Sequence, residues 1–360
     1  MILTAFILLD LVHQTTSHPS GNQEQSFATG LPRTQAAKRD TTDNVKPLGA
    51  AMAHAMEDAD RGFLPSDPPP MTWVVKALGS RGLQVEHLRA HTEEAVSISR
   101  AQVLPLTASS AGGSAAETSL VLKRVDLRVE SFKSESHRDR TRKSYAVEAQ
   151  VYASLSDRFR ELAPIPGFWG FDERNGSCAI LLDRVSHKTH RQYPELGRGH
   201  AHSALSWLAH FHAQFLGHEQ GHLCTSAELW DVGGYWSLDK RKDTSRDIQE
   251  NCVKLQAAFA HEEGMSACKE LGVNLQEMAE SLHEKAAKNQ GEAGRTLLHG
   301  DFKAGNIFFA SSDSFEATVV DFQWSGWGTG ASDVVYLLAT SLYAAPSCHC
   351  IARSGHCFGD

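Results

Sequence analysis

The order of the predicted elements gives the fold class, α+β in two lobes: a small strand-rich lobe followed by a helical one. Three observations predict it. The chain has 360 residues, 41% hydrophobic and 22% charged, enough for two lobes and a sizeable core. Short alternating apolar runs are concentrated in its first half, and helical periodicity dominates after about residue 185. Strands followed by helices, with no internal repeat, are what α+β or two-lobed architectures look like in sequence. The expected divisions are a disordered leader at 1–69, an N-lobe at 70–185, a C-lobe at 186–345 and an irregular tail at 346–360.

Residues 14–68 are rich in Ser, Thr, Gln, Asn and Asp and run into Pro65, Pro68, Pro69 and Pro70. Such a composition buries too little apolar surface to order itself. The folded part is expected near Met71, where Trp73, Val74, Leu78 and Leu83 begin an apolar pattern. Residues 101–106 read as a strand, confined to a sheet edge by Pro105, which has no N–H to donate. Residues 119–125 read as a second strand, and the small-residue stretch 107–118, with Gly112 and Gly113, as the loop between them. Tyr145, Tyr152, Leu155 and Phe159 mark one face of a helix over 142–159, with the charged run 137–143 as its solvated start. Residues 179–182 are a short buried strand. Leu205, Leu208, Phe211 and Phe215 lie on one side of a helix over 204–216, with Gly217 as its cap. Leu271, Leu275, Met278 and Leu282 mark a further helix. Strands are expected at 307–309 and 318–322, and a helical run at 334–342.

Composition narrows the function classes. A formal net charge of −8 argues against a nucleic-acid or anionic-membrane partner. Seven cysteines, an odd number without C-x-x-C spacing, fit thiols in a reducing compartment better than a disulfide framework. Cys348, His349, Cys350, His356 and Cys357 look like metal ligands, but their spacing meets no zinc pattern. No stretch approaches the roughly 20 apolar residues of a membrane span. Residues 2–9 are mostly apolar, yet Asp10 interrupts them and no basic residue precedes them. A cytoplasmic location is therefore expected, with secretion or organelle import through that segment as the alternative.

The chemistry is concentrated in His299-Gly300-Asp301-Phe302-Lys303-Ala304-Gly305-Asn306, followed by Val320-Asp321-Phe322-Gln323. Phosphoryl transfer needs a carboxylate at the attacking hydroxyl, a cation on the γ-phosphate, and oxygen ligands that hold magnesium between the phosphates. Asp301 supplies the first, Lys303 the second, and Asn306 with Asp321 the third; oxygen donors suit a hard cation. The spacing from His299 through Asp301 and Lys303 to Asn306 is that of a kinase catalytic loop. A second aspartate follows twenty residues later, at the end of an apolar run.

Residues 297–309 (L-L-H-G-D-F-K-A-G-N-I-F-F) and 319–338 (V-V-D-F-Q-W-S-G-W-G-T-G-A-S-D-V-V-Y-L-L) together resemble the choline-kinase/aminoglycoside-phosphotransferase superfamily. Asp-Phe-Gln in place of Asp-Phe-Gly is similar to its ecdysteroid-kinase-like branch. The resemblance covers about 70–345 and implies the protein-kinase-like fold, with ATP and magnesium as cofactors and transfer of the γ-phosphate to a small molecule. It also implies that Asp301 is the catalytic aspartate, that Asn306 and Asp321 are magnesium ligands, and that Asp333 braces the loop opened by His299.

The N-lobe agrees. Strand alternation puts Val121 and Lys123 on one face, Lys123 toward ATP phosphates and Val121 over the adenine, with Leu120 and Leu122 on the other. Glu148 falls on the apolar stripe of its helix, three residues after Tyr145 and four before Tyr152. An unpaired carboxylate there is costly, so Lys123 is its expected partner. Residues 180–183 read as either the hinge between the lobes or an ordinary buried strand. No G-x-G-x-x-G precedes Lys123, and residues 91–97, where a phosphate-covering loop is expected, hold no glycine. Of the nineteen histidines, His187, His190, His200, His202, His210 and His212 cluster at the start of the C-lobe. They read better as satisfied surface or core residues than as a metal site.

The sequence thus predicts an ATP-dependent, magnesium-requiring phosphotransferase acting on a small-molecule hydroxyl. The alternatives are a pseudokinase that binds nucleotide without transfer, and a protein kinase. Against the latter stand Gly300 where the kinase template has Arg, and no Ala-Pro-Glu after Asp321. Thirty-nine residues follow Asp321, and 346–360 show no clear period, so the C-lobe is expected to be truncated.

Overall fold

The computed structural model describes residues 63–342, except 68, 99, 111–116, 160, 218–228, 236–239, 241–293 and 312–314. Residues 1–62 of the expected 1–69 leader, the expected helix through Leu271 and Leu282, the Gly112-Gly113 loop and the cysteine-rich tail lie outside the described residues.

The protein has an α+β, protein-kinase-like fold. After helix α1 (Met71–Ser80) comes an antiparallel sheet of β1 (Val85–Ala90), β2 (Val96–Ile98), β3 (Ala101–Ser110), β4 (Glu117–Asp126), β5 (Phe168–Arg174) and β6 (Ser177–Asp183). Its order is β1-β3-β4-β6-β5, with β2 also on β3. Helix α2 (Glu135–Leu155) joins β4 to β5. Alternation in β4 sends Leu120 and Leu122 to a core with α1, Leu104, Leu106 and Leu181. β6 is buried along both faces, as an interior strand covered on each side should be.

The second core lies on the other face, under α2, and runs without a break into the C-lobe. Val125, Ile180, Val147, Val151 and Tyr152 belong to the same cluster as Trp207, Phe211, Phe302 and Phe322. The C-lobe comprises β7 (His190–Arg191), α3 (Arg198–Ala213), β8 (Arg295–Leu298), β9 (Ile307–Ala310), β10 (Ala317–Val319), β11 (Gly326–Thr329) and α4 (Ala331–Ser341). Two small sheets, β10-β9-β7 and β11-β8, present the loops between their strands.

Four expectations change. Pro105 is not on an edge strand: β3 lies between β4 and the β1/β2 side, and Pro105 is paired with Val121. Its carbonyl accepts from His91 N at 2.9 Å, so its nitrogen, which has no hydrogen, also faces the break between β1 and β2. No ladder donor is needed there. The break itself corrects the assignment of 91–97 as a phosphate-covering loop. β1 lies along Leu106–Ser110 and β2 along Ala101–Val103, so the two form one edge strand interrupted by a 3₁₀ turn, Thr92–Glu94. The reversal into β3 comes after Ile98, with Arg100 in the turn.

Helix α2 starts seven residues before the expected 142, because the Ser134 hydroxyl accepts from His137 N at 3.1 Å and caps it. Its first two turns are polar and carry no apolar stripe to read. The packed chain also reaches back before Met71. Phe63 is buried, its ring 5.2 Å from Trp73. The buried Arg124 guanidinium donates to the carbonyls of Asp67 (2.7 Å) and Pro65 (3.0 Å) and to Gln102. This proline-rich strap lies across the outer core, where a partner on β4 supplies what its composition lacks.

Candidate functional site

The loop from β8 to β9 carries His299 to Asn306. Gly300 has φ +88°, and a Cβ on it would stand 2.1 Å from the Trp324 carbonyl oxygen, so only glycine passes this turn without a shift. Asp333, at the start of α4, accepts from the backbone N–H of His299 (2.8 Å) and of Gly300 (2.9 Å). His212 of α3 approaches the same carboxylate at 3.0 Å. His299 is fully buried, and burial pushes its imidazole below the ordinary range, keeping it neutral. Its Nε2 donates to the Val320 carbonyl at 3.0 Å, and its Nδ1 accepts from Asp301 N at 3.2 Å. One imidazole therefore ties the β8–β9 loop to the strand end that delivers Asp321.

Asp301 is 5% exposed. The Asn306 side-chain amide donates to its backbone carbonyl (2.8 Å) and to its Oδ2 (3.0 Å), and Lys303 Nζ lies 3.1 Å from that oxygen. With Nδ2 committed to Asp301, the atom Asn306 can offer a cation is Oδ1. That donor and the partly exposed Asp321 carboxylate are hard oxygens, which suit magnesium.

The N-lobe half is built on β4 and α2. Lys123 Nζ is 2.7 Å from Glu148 Oε2 and 3.3 Å from Asp321 Oδ1, with the Tyr145 ring 5.0 Å away. Burial works against the Lys123 charge, but the Asp321 and Glu148 carboxylates outweigh it and hold the ammonium well above its ordinary range. Burial pushes Glu148 up to about 7, Lys123 opposes this, and Asp321 adds to it. Val121 lies on the same face of β4, half-buried against the inner core. Asp321 has left β10 and adopts φ +71°, which is why the strand expected over 318–322 ends at Val319. Its N–H donates to the Tyr152 hydroxyl at 3.0 Å. The Tyr152 ring meets Phe322 edge-on (5.4 Å), and Phe322 packs on His299 (4.6 Å).

Lys123, Glu148 and Asp321 thus come together, as do His299, Asp301, Lys303, Asn306 and Asp333. The six C-lobe histidines do not. His212 faces Asp333, His200 packs among Tyr193, Phe309 and Phe315, and His210 bonds Ser206 within its own helix. Sequence reasoning missed the contact of His212 with Asp333 and that of the Tyr152 hydroxyl with Asp321. Tyr152 had a signal, since it stands four residues after Glu148 on the same stripe, but it read only as core.

Residues 98–345 match the profile of the Ecdysteroid kinase-like family. Solved structures that match this chain include a putative fructosamine-3-kinase from Haemophilus somnus 129PT. It is 15% identical over 73% of this chain and 74% of that one, with a TM-score of 0.36. A spectinomycin phosphotransferase in complex with ADP and spectinomycin is 14% identical (74% and 72%; TM-score 0.37). An aminoglycoside phosphotransferase from Streptomyces rimosus is 15% identical (75% and 82%; TM-score 0.37). No protein of curated function matches.

Proposed function

The chain belongs to the Ecdysteroid kinase-like family, and from that premise we propose that it transfers the γ-phosphoryl group of ATP to a hydroxyl of a small molecule. The observation that carries the reading is the pairing of two half-sites. One is a buried aspartate held by Asn306 and Lys303, and the other is a lysine clamped between Glu148 and Asp321. Asp301 takes the acceptor's proton as its oxygen bonds the γ-phosphorus; the bond to the β-phosphate oxygen breaks and ADP leaves. Lys123 meets the nucleotide phosphates, and Lys303 the transferred group. Magnesium, when held by Asn306 Oδ1 and Asp321, offsets phosphate charge. The loop's own bonds fix where these groups stand before substrate arrives, so little reorganisation remains for the chemical step.

Against a protein-kinase reading stands Gly300, where the arginine of the protein-kinase template would place its Cβ against the Trp324 carbonyl. The test is ATP consumption against a panel of sterols, choline, sugars, amino alcohols and peptides, with the Asp301→Asn variant alongside. Acceptor-dependent turnover by the parent and not by the variant is expected. Turnover restricted to peptides, or equal in both proteins, would overturn the reading.

A further inference from the structure

Helix α2 carries Arg140, Glu148 and Tyr152 at spacings of eight and four, which places them in one row along its face. The later end of the row is tied to the site already described. Glu148 holds Lys123 at 2.7 Å, and the Tyr152 hydroxyl accepts from Asp321 N at 3.0 Å. The earlier end has no role in the reading above. There the Arg140 guanidinium donates to the Lys240 carbonyl at 2.6 Å, and Lys143, one turn along, places its ammonium 4.6 Å from the Trp230 ring.

Lys240 and Trp230 belong to one packed unit. Lys240 is 7% exposed, and its Nζ donates to the carbonyls of Gly234 (2.7 Å) and Val232, with the Trp230 ring 5.0 Å away. Acceptors and an aromatic face of this kind replace the water that a buried ammonium gives up. Segment 230–235, closed by that ammonium, is bonded in turn to both C-lobe loops of the site. Tyr235 N donates to the Gly300 carbonyl at 2.7 Å, next to Asp301. Gly234 N donates to the Trp324 carbonyl (3.0 Å) and the Trp230 indole N–H to the Gln323 carbonyl (2.8 Å), just past Asp321. The Trp230 ring stacks on Trp324 at 5.6 Å, and Tyr235 meets Trp324 edge-on at 5.0 Å.

On the nucleotide-binding reading of this site, on which this step rests, we propose that Lys240 is a positioning residue. Its ammonium fixes segment 230–235 against the loops of Asp301 and Asp321, and its carbonyl receives Arg140. The helix that carries Glu148 is thereby set against the loop that carries Asp301. Fastened at Arg140 and again at Tyr152, α2 presents Glu148 to Lys123 before nucleotide binds, and a shift of segment 230–235 reaches Gly300 and α2 together.

The experiment uses the full chain and four variants: Lys240→Met, which keeps the length and loses the charge; Arg140→Leu, which cuts only the link to α2; Arg140→Lys, which restores a donor; and the Lys240→Met/Arg140→Leu double. Hydrogen exchange without nucleotide should quicken in the first half of α2 in Arg140→Leu, and in both α2 and the β8–β9 loop in Lys240→Met. The dissociation constant for magnesium–ADP, by titration calorimetry, should rise about tenfold in Lys240→Met, the scale of one hydrogen bond to a charged group. It should rise less in Arg140→Leu and return toward the parent value in Arg140→Lys. The double variant should bind no more weakly than Lys240→Met alone, because Arg140 acts through the segment that Lys240 holds. Unchanged α2 exchange and affinity in both single variants, or additive losses in the double, would overturn the positioning role. So would exchange that quickens throughout Lys240→Met, β3 included, while Arg140→Leu keeps the parent's affinity, since the ammonium would then serve the fold alone. A parent protein that binds no magnesium–ADP would overturn the nucleotide reading instead, and the exchange pattern would still decide whether Lys240 joins α2 to the β8–β9 loop.

Discussion

Asp301 and Asp321 both follow short strands, yet their surroundings assign them different work. Asp301 is buried and held on one oxygen by Asn306 and Lys303, whereas the Asp321 side chain is one-third exposed and faces Lys123. Asp301→Asn should therefore lower turnover by about two orders of magnitude or more, the scale of a positioned base, and leave nucleotide affinity near the parent's. Asp321→Asn should weaken magnesium–nucleotide binding itself. Steady-state rates with parallel calorimetry separate the two outcomes. Glu148 gives a pH prediction. Its carboxyl is raised to about 7 by burial, so the folded protein binds that proton more tightly than the unfolded chain. The stability this contributes is fully present below the ordinary carboxylate range and is lost as pH rises through about 7. Melting curves of the nucleotide-free protein and of Glu148→Gln should diverge across that window, the parent losing ground as pH rises. Asp301, Asn306, Lys123 and Glu148 were legible from the sequence because phosphate chemistry restricts both residue type and spacing. The Asp333 bonds came only through family resemblance, and His212 could not be foreseen because its partner lies 121 residues away.

At the scale of elements, the β8–β9 loop depends on a backbone conformation and the N-lobe half of the candidate site on a helix. Gly300→Ala would force a side chain into φ +88° and against a backbone carbonyl. About 1–3 kcal/mol of backbone strain is expected before the clash is counted. The melting temperature should fall and turnover with it, in contrast to Asp301→Asn, which keeps the fold. Lys123 and Glu148 sit on different elements, β4 and α2, and meet at 2.7 Å, so they should act as one unit. Lys123→Ala should impair nucleotide binding, and adding Glu148→Ala should cost little more; additive losses in that cycle would show that they work separately. The elements easiest to read were those with one apolar face, such as α3 and β4. β1, β5 and the pair β8 and β11 went unread, because their burial is set by neighbours rather than by a clean alternation. Pro105 misled for a related reason. A proline excludes a ladder donor at one residue, and here the partner strand is interrupted at that residue.

For the whole molecule, one apolar cluster passes from the underside of the sheet through Tyr152 and Phe322 to Trp207 and Phe211. The two lobes therefore share a core. Far- and near-ultraviolet circular dichroism should report a single coincident melting transition across the described region, and magnesium–ADP should raise it as a whole; separate transitions would show that the lobes are independent. Strand-rich then helical order was readable from composition and period, but a core shared between lobes was not. Its members are scattered from Ala101 to Leu337 and meet only in three dimensions.

The strap from Phe63 to Asp67 has a practical consequence for how this chain is handled by proteases. Its carbonyls at Pro65 and Asp67 receive the guanidinium of Arg124, which is 3% exposed and stands next to Lys123 in β4. A cut on the N-terminal side of Phe63 leaves every one of these contacts in place. A cut between Asp67 and Met71 releases the strap from its covalent anchor, and its departure would take two carbonyl acceptors from a buried cation and uncover the outer core beside Lys123. Digestion should accordingly stop at a fragment that retains Phe63, and fragments that begin at or after Met71 should be degraded further rather than accumulate.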